Sequence, residues 1–424
     1  MKLNLKRSGL MALAAVTLAA CSTAPALFRP GQGPAIFQGQ GAQRQPLSSV
    51  SLRWQNKAQI VQAATAGIDL FGAQPRNRIA RAHVTPQQQE FLRSIGIQVA
   101  PIIEARMDDR GGLLPGYMTY AQMVEKLKAM AQQFPQIVTL EDVGDTYQKK
   151  TGAAPNNDVW AITISNKANR SAKPALMLTG GIHARELAPV ELVMKLANEL
   201  TSLYGKDPQI TQLIDTREVV LVPMVNVDGR IEVEKGDSWK RKNMNLSRGS
   251  GVDINRNFNT HWNYAGLNAP SSWLSGLTSP NSETYSGASP ASEPETQAVQ
   301  DMYKRKRITM SMDIHSYSEM FFWPQGYSEK PIPEVPTFKT IYQNTFAHNH
   351  YEGGTSLELL YPTSGTSDDY GYDECGSYSM GLEVGQSFRP SYSEVEAMWK
   401  ATRPNWLYMI NAAGTVPPLN YRCR

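Results

Sequence analysis

The amino-acid sequence predicts an α/β fold, a mixed and mostly parallel sheet flanked by helices, preceded by a small α+β domain. Apolar strand patterns alternate with helix patterns over residues 117–415, and this alternation favours a largely parallel sheet. Residues 49–104 have the order β-α-β-β-α-β, which is typical of a ferredoxin-like domain. In such α/β sheets the reactive side chains gather beyond the carboxyl ends of the strands.

Hydrophobic periodicity and turn residues place the individual elements. The larger domain has strand patterns at residues 137–143, 159–165, 174–179, 218–225, 308–314 and 378–383. Its first and last helix patterns cover residues 119–133 and 393–413. The small domain has strand patterns at residues 50–54, 68–71, 78–84 and 97–103, and helix patterns at 56–65 and 85–94.

The N-terminus has the pattern of an export signal. Basic residues precede an apolar run at residues 10–20, which is too short to span a bilayer. The run ends in Ala20-Cys21, which resembles a bacterial lipoprotein signal whose cysteine is lipidated. We therefore expect an exported protein held in the cell envelope, periplasmic or at the cell surface, by lipid at Cys21. An ordinary signal peptide and secretion are the alternative.

These patterns divide the chain into six segments. They are a lipoprotein signal peptide (1–20), a flexible tether rich in Gln, Gly and Pro (21–48), the small domain (49–104), a linker (105–116), the larger domain (117–415) and a C-terminal tail (416–424).

The charge balance excludes a nucleic-acid-binding role. The chain has 42 Lys and Arg against 38 Asp and Glu, and removal of residues 1–20 leaves 39 against 38. Nucleic-acid binding needs a concentrated basic face.

If Cys21 carries lipid, Cys375 and Cys423 remain as a pair, and a disulfide between them can persist outside the cytoplasm. Two free thiols are the alternative.

The strongest chemical signal is a His and a Glu at the end of one strand. The glycine pair after the strand pattern at 174–179 leads directly to His183 and Glu186. Imidazole and carboxylate together are zinc ligands, and a catalytic zinc site needs a third protein ligand. His315 also ends a strand and is the best candidate for it. The other four histidines have structural or surface positions: His83, His261, His348 and His350.

Four further stretches carry side chains suited to peptide chemistry. Asn255 and Arg256 can bind a free carboxylate through an amide and a guanidinium fork. Glu383 ends an apolar strand and beside zinc it would serve as general base for water. Arg241 belongs to a basic cluster and can face the oxyanion that forms when water attacks a carbonyl. Tyr361 lies in a Gly- and Ser-rich loop and can fold over a substrate.

Taken in order, these stretches resemble the zinc carboxypeptidases of the carboxypeptidase A and B group, over roughly residues 117–413. The matching motifs are His183-Ala-Arg-Glu186, Gly251-Val-Asp-Ile-Asn-Arg-Asn257, Tyr285-Ser-Gly with Ser292-Glu-Pro-Glu-Thr296, Asp313-Ile-His-Ser-Tyr317, the Tyr361 loop and Gly381-Leu-Glu383.

The resemblance implies a role for each matching position and one zinc ion. His183, Glu186 and His315 match the zinc ligands, and the other roles fall on Asn255 and Arg256 (terminal carboxylate), Arg241 (oxyanion), Tyr361 (mobile tyrosine), Glu383 (general base) and Arg185 (substrate binding). The family's basic stretch usually reads Trp-Arg-Lys, whereas this chain has Trp-Lys-Arg-Lys, so the Arg241 match assumes a slip of one residue. Asp253 is a candidate for orienting a ligand imidazole.

The loop that contains Asp368 resembles the B-type loop, in which an acidic residue lies at the base of the side-chain pocket. It predicts a preference for C-terminal Lys or Arg, and a purely structural role of Asp368 or Asp369 is the alternative. The small domain resembles the family's pro-domains in size and order, with release expected near Arg106 or Arg110.

The predicted function is that of a monomeric zinc metallocarboxypeptidase acting on peptide and protein C-termini. The membrane is contacted only through the lipid anchor. One alternative keeps the metal but cleaves amide bonds of cell-wall peptides, which also end in free carboxylates. The other is a non-catalytic surface lipoprotein that only binds peptides.

Overall fold

The structure is a computed structural model that describes residues 47–102, 112–264 and 275–423. The predicted signal peptide, Cys21, the tether up to residue 46 and residues 105–111 of the linker lie outside the described residues. The first strand begins at Ser48, the last residue assigned to the tether. None of the described helices has both the length and the apolar content that a membrane span requires.

Residues 48–101 form the predicted ferredoxin-like domain. Its four strands make one antiparallel sheet in the order β4-β1-β3-β2. Apolar side chains of the strands, the two helices and the loops between them fill its core. Both helices begin at a capping box, from Asn56 with Gln59 and from Thr85 with Gln88. The elements are β1 (Ser48–Arg53), α1 (Lys57–Thr65), β2 (Asp69–Gln74), β3 (Ile79–Val84), α2 (Pro86–Ser94) and β4 (Gln98–Pro101).

The larger domain contains eight strands and eleven helices among its described residues. The strands are β5 (Val138–Asp145), β6 (Asp158–Ile164), β7 (Ala175–Gly180), β8 (Glu218–Val222), β9 (Ile308–His315), β10 (Met320–Phe322), β11 (Glu352–Gly354) and β12 (Tyr378–Glu383). The helices are α3 (Tyr120–Gln133), α4 (Tyr147–Lys150), α5 (Leu187–Leu203), α6 (Pro208–Thr216), α7 (Val227–Lys235), α8 (Ser275–Thr278), α9 (Pro294–Arg305), α10 (Val335–Gln343), α11 (Ser356–Leu359), α12 (Ser367–Asp373) and α13 (Tyr392–Ala412), of which α4, α8 and α11 are single turns.

The sheet has the order β11-β10-β12-β9-β7-β8-β6-β5, and its four central strands, β12, β9, β7 and β8, are parallel. Every residue of β7 is buried, because apolar side chains pack on both faces of the sheet. Leu176 and Leu178 join the core beneath α3, α5, α6 and α13, whereas Ala175 and Met177 join the core beneath α9 and α12. The mixed, mostly parallel sheet flanked by helices is therefore confirmed.

All six predicted strands of this domain are present. The short strands β10 and β11 were not predicted, because three residues carry no readable periodicity. Cys375 and Cys423 form the expected disulfide, and the Tyr421 hydroxyl donates to the Tyr303 carbonyl at 2.6 Å. The predicted C-terminal tail is thus attached at two points. The disulfide joins it to the segment just after α12, and Tyr421 joins it to α9.

Candidate active site

The three predicted ligands converge at the carboxyl ends of β7 and β9. The Nδ1 atom of His183 lies 2.8 Å from Oε1 of Glu186 and 3.1 Å from Nδ1 of His315. The distance from Nδ1 of His315 to Oε2 of Glu186 is 3.2 Å. Gly181 makes the turn between β7 and His183 with φ +62°, in the left-handed region that favours glycine.

Both imidazoles are held through their other ring nitrogen. Nε2 of His183 lies 3.1 Å from Oδ1 of Asp253, and Nε2 of His315 lies 2.8 Å from Oδ2 of Asp313. When each Nε2 donates its hydrogen to its carboxylate, each Nδ1 has a lone pair available for a metal ion. The sequence predicted the role of Asp253 but assigned none to Asp313.

The donor set fits zinc. Two imidazole nitrogens and a carboxylate oxygen lie within 4.8 Å of one another, and all three side chains are buried. Zinc accepts His₂Glu ligand sets in catalytic sites, with one position left for a reactant. His183, Glu186 and His315 are the residues that would hold the ion. They are the only such His/Cys/Asp/Glu group found among the described residues.

Arg241 lies beside this cluster. Its Nη1 is 3.3 Å from Nδ1 of His183, and its Nη2 donates to Oδ2 of Asp253 at 2.8 Å. Its backbone carbonyl accepts hydrogen bonds from the Ala184 amide and the Asn226 side chain, both at 3.1 Å. These contacts place Arg241, and not Lys240, against the cavity, as the one-residue slip requires.

Asn255 and Arg256 line the same cavity, in a short 3-10 helix (Ile254–Arg256). The Asn255 amide nitrogen is 3.1 Å from Nε2 of His315, and its Oδ1 accepts the Ser367 backbone N–H at 2.9 Å. The Arg256 guanidinium donates to the Asn255 carbonyl at 2.7 Å. The two predicted carboxylate-binding groups are therefore held next to the ligand cluster.

Glu383 ends β12 and pairs in register with His315 of β9, so the predicted base and the third ligand are cross-strand neighbours. Its Oε2 is buried and has no hydrogen-bond partner among the described residues. Burial, and then the negative charge of Glu186, raise the pKa of Glu383 to about 8. This carboxyl group has a high affinity for a proton and faces the cavity.

The remaining predicted substrate residues also line this cavity. Tyr361 and Asp368 are both partly accessible from it. Burial raises the pKa of Asp368. Asp369, in contrast, is fully buried and accepts the Gly326 backbone N–H at 3.0 Å, so it stabilises the loop from behind.

Arg185 is not available to a substrate in this structure, because the small domain occupies it. Its two terminal nitrogens donate to both oxygens of Asp69 at 2.5 and 2.8 Å, and its guanidinium lies 4.2 Å from the Phe388 ring centre. Burial alone would raise the pKa of Asp69, but Arg185 lowers it to about 2. The pair is fully ionised at neutral pH.

The chain matches the zinc carboxypeptidase family model over residues 123–405. Bovine carboxypeptidase B2 is 30% identical over 281 residues, which are 63% of this chain and 62% of that protein. Human carboxypeptidase B is 27% identical over 347 residues, 78% of this chain and 79% of that protein. The match to bovine carboxypeptidase B2 thus spans less than two thirds of that relative's length.

Among solved structures, the carboxypeptidase A of Helicoverpa armigera superposes with a TM-score of 0.72 at 20% identity, covering 87% of this chain and 98% of that one. This similarity shows the fold. The family model spans most of the chain and includes all three members of the His-Glu-His cluster. The chain therefore belongs to the zinc carboxypeptidase family and has the site for one zinc ion.

Proposed function

We propose that this protein is a metallocarboxypeptidase that hydrolyses the last peptide bond of peptides and proteins. The observation that carries the proposal is the position of Asn255 and Arg256 beside the metal-ligand cluster, in one cavity with Glu383. An amide and a guanidinium suit a terminal carboxylate. An endopeptidase would have no need for such a pair at the end of its cleft.

Each residue then has a distinct task. When bound, zinc supplies Lewis acidity that polarises the scissile carbonyl and makes water more acidic. Glu383 takes a proton from the attacking water and delivers it to the leaving amine. Arg241 donates hydrogen bonds to the oxygen on which negative charge develops. Tyr361 covers the bound residue, and Asn255 with Arg256 fixes its carboxylate.

Asp368 supports a preference for C-terminal Lys or Arg. Its carboxyl group reaches the cavity, and Oδ2 lies 3.9 Å from the position that a Cβ on Gly381 would take. Glycine at position 381 therefore leaves room for a substrate side chain next to the carboxylate. Among the described residues no Lys or Arg forms an ion pair with Asp368, so a substrate cation would supply the opposite charge.

The small domain acts as an inhibitory pro-domain in this proposal. Its strand β2 lies against the cavity: Asp69 binds Arg185, and the Ala73 amide donates to the Ser318 hydroxyl at 3.0 Å. Gly72 has φ +55°, and a Cβ there would come within 2.7 Å of the Tyr317 ring. The strand thus occupies the side of the cavity where the body of a peptide would lie.

The proposal also includes the location and assembly of the protein. The basic and apolar N-terminus that ends in Ala20-Cys21 supports export and a lipid anchor in the cell envelope. All the proposed site residues come from one chain, so a monomer is sufficient for activity.

The test is release of single C-terminal residues from a peptide panel ending in Arg, Lys, Phe or Leu. Assays before and after trypsin treatment, with and without a zinc chelator, complete the design. We expect release that stops with the chelator, returns with zinc and is highest for Arg and Lys. A panel of muropeptides in parallel tests the cell-wall alternative, and cleavage confined to muropeptides would overturn the proposal.

A further inference from the structure

The carboxylate of Asp313 is hydrogen-bonded both to the metal site and to the loop that carries Asp368. It is buried, and its two oxygens accept three hydrogen bonds from three different elements. Oδ1 accepts from the Thr179 hydroxyl at 2.8 Å. Oδ2 accepts from Nε2 of His315 and from the Ser367 hydroxyl, each at 2.8 Å.

The sheet register explains why these groups meet. Thr179 of β7, Asp313 of β9 and Gly381 of β12 are neighbours across three parallel strands. Residues two apart on a strand point to the same side, so Asp313 lies beneath His315 on the face that leads to the cavity. The chain enters α12 at Ser367, directly above the carboxylate.

Ser367 binds two parts of the site at once. Its hydroxyl donates to Asp313, and its backbone N–H donates to Oδ1 of Asn255 at 2.9 Å. The next residue is Asp368. Ser367 therefore holds the loop of the proposed specificity residue against Asp313 through its hydroxyl and against the carboxylate-binding amide of Asn255 through its backbone.

We propose that Asp313 is a positioning residue with two effects. It keeps His315 in the tautomer and orientation that presents Nδ1 to zinc, and through Ser367 it sets the position of Asp368. Hydrogen-bonded carboxylates behind ligating histidines commonly contribute a factor of about 10–100 in metal affinity. The specificity effect, unlike the metal effect, rests on the function proposed above.

The experiment measures zinc affinity of the full chain by competition with a chromogenic chelator, which needs no peptidase activity. Asp313→Asn removes the negative charge and replaces one of the two acceptor oxygens with an NH₂ donor, so one oxygen is left for the three donors Thr179, His315 and Ser367. We expect its zinc affinity to fall about 10–100-fold and its zinc release into excess chelator to accelerate. Ser311→Ala, which removes a buried hydroxyl two residues earlier on β9, is the control and should bind zinc like wild type.

Two milder variants keep the test decisive if Asp313→Asn does not fold. Thr179→Val removes only the contact to Oδ1, and we expect a smaller but measurable loss of zinc affinity. Ser367→Ala leaves the contact between Asp313 and His315 intact. It should therefore retain zinc, while its kcat/KM for peptides ending in Arg falls relative to those ending in Leu.

Wild-type zinc affinity in folded Asp313→Asn, or in Thr179→Val if the first variant is unfolded, would overturn the metal effect. Unchanged side-chain preference in Ser367→Ala would overturn the specificity effect. Failure of the wild-type chain to cleave any peptide would instead refute the proposed function, and the zinc measurements would still decide the role of Asp313.

Discussion

Asp69 of the small domain and Arg185 of the larger domain form a buried, bidentate ion pair one residue away from the metal ligand Glu186. The partners are 116 residues apart in the chain. Removing one member of such a pair leaves an unpaired buried charge, which typically costs about 3–5 kcal/mol. This contact is where we expect the interaction of the two domains to be most sensitive to substitution.

Asp69→Asn should therefore weaken the docking of the small domain and raise the peptidase activity of the unclipped chain. The measurement is the initial rate of the intact protein, with electrophoresis to show that the linker is uncut. Glu90→Gln, an exposed change in the same domain, is the matched control. If neither Asp69→Asn nor trypsin cleavage raised the rate, the small domain would be a permanent structural part of the enzyme.

Glu383→Gln keeps the size of the side chain but removes the base. We expect turnover to fall by about 10²–10⁴-fold, the usual contribution of a general base. Zinc content should not change, because Glu383 is not one of the three ligands. The check is kcat together with zinc per chain in the same preparation. Turnover close to that of wild type would mean that another group activates the water.

Asp368→Asn should lower kcat/KM for peptides ending in Arg or Lys by roughly 10- to 100-fold. A hydrogen bond to a charged group contributes about 1.5–3 kcal/mol, and 1.4 kcal/mol is a factor of ten. Peptides ending in Leu should be affected little, so they are the internal control. An equal effect on all four peptides would assign Asp368 a structural role.

Glu295 provides a prediction about stability and pH. It is fully buried, and its Oε1 accepts the Tyr147 N–H at 2.9 Å. Burial, followed by the nearby carboxylates of Glu293 and Asp228, raises its pKa to about 8. From about pH 4.5 to 8 the unfolded chain therefore binds fewer protons than the folded chain at this position. Stability then falls as pH rises, by up to about 1.4 kcal/mol per pH unit.

Glu295→Gln should remove this contribution. Urea unfolding of the variant and of wild type between pH 5.5 and 9 gives both slopes. We expect the unfolding free energy of the variant to fall less steeply up to pH 8, with parallel curves above that. Glu125→Gln on the exposed side of α3 should follow wild type. Equal slopes for Glu295→Gln and wild type would show that Glu295 is already ionised in the folded chain.

Much of the site could be predicted because its residues end strands. His183, His315 and Glu383 each follow or end an apolar run, and parallel strands bring such ends together at one edge. Arg241 could be chosen from its basic cluster only by resemblance. Its position is fixed by a backbone contact with Ala184, which no local pattern reveals.

Other contacts have no sequence signal, or one that is insufficient by itself. Asp69 contacts Arg185 across two domains, so periodicity within either domain says nothing about it. Asp313 did carry a signal, since its spacing of two residues from His315 on a strand places both on one face. Its role also depends on the positions of Thr179 and Ser367, which come from distant parts of the chain.

The most direct test of the metal site is the zinc content of the purified chain and of His315→Ala, determined by elemental analysis against protein concentration. Because two imidazoles and one carboxylate would hold one ion, we expect close to one zinc per wild-type chain. The His315→Ala variant should lose most of its zinc on dialysis against a weak chelator. A full equivalent of zinc retained by folded His315→Ala would contradict the site described here.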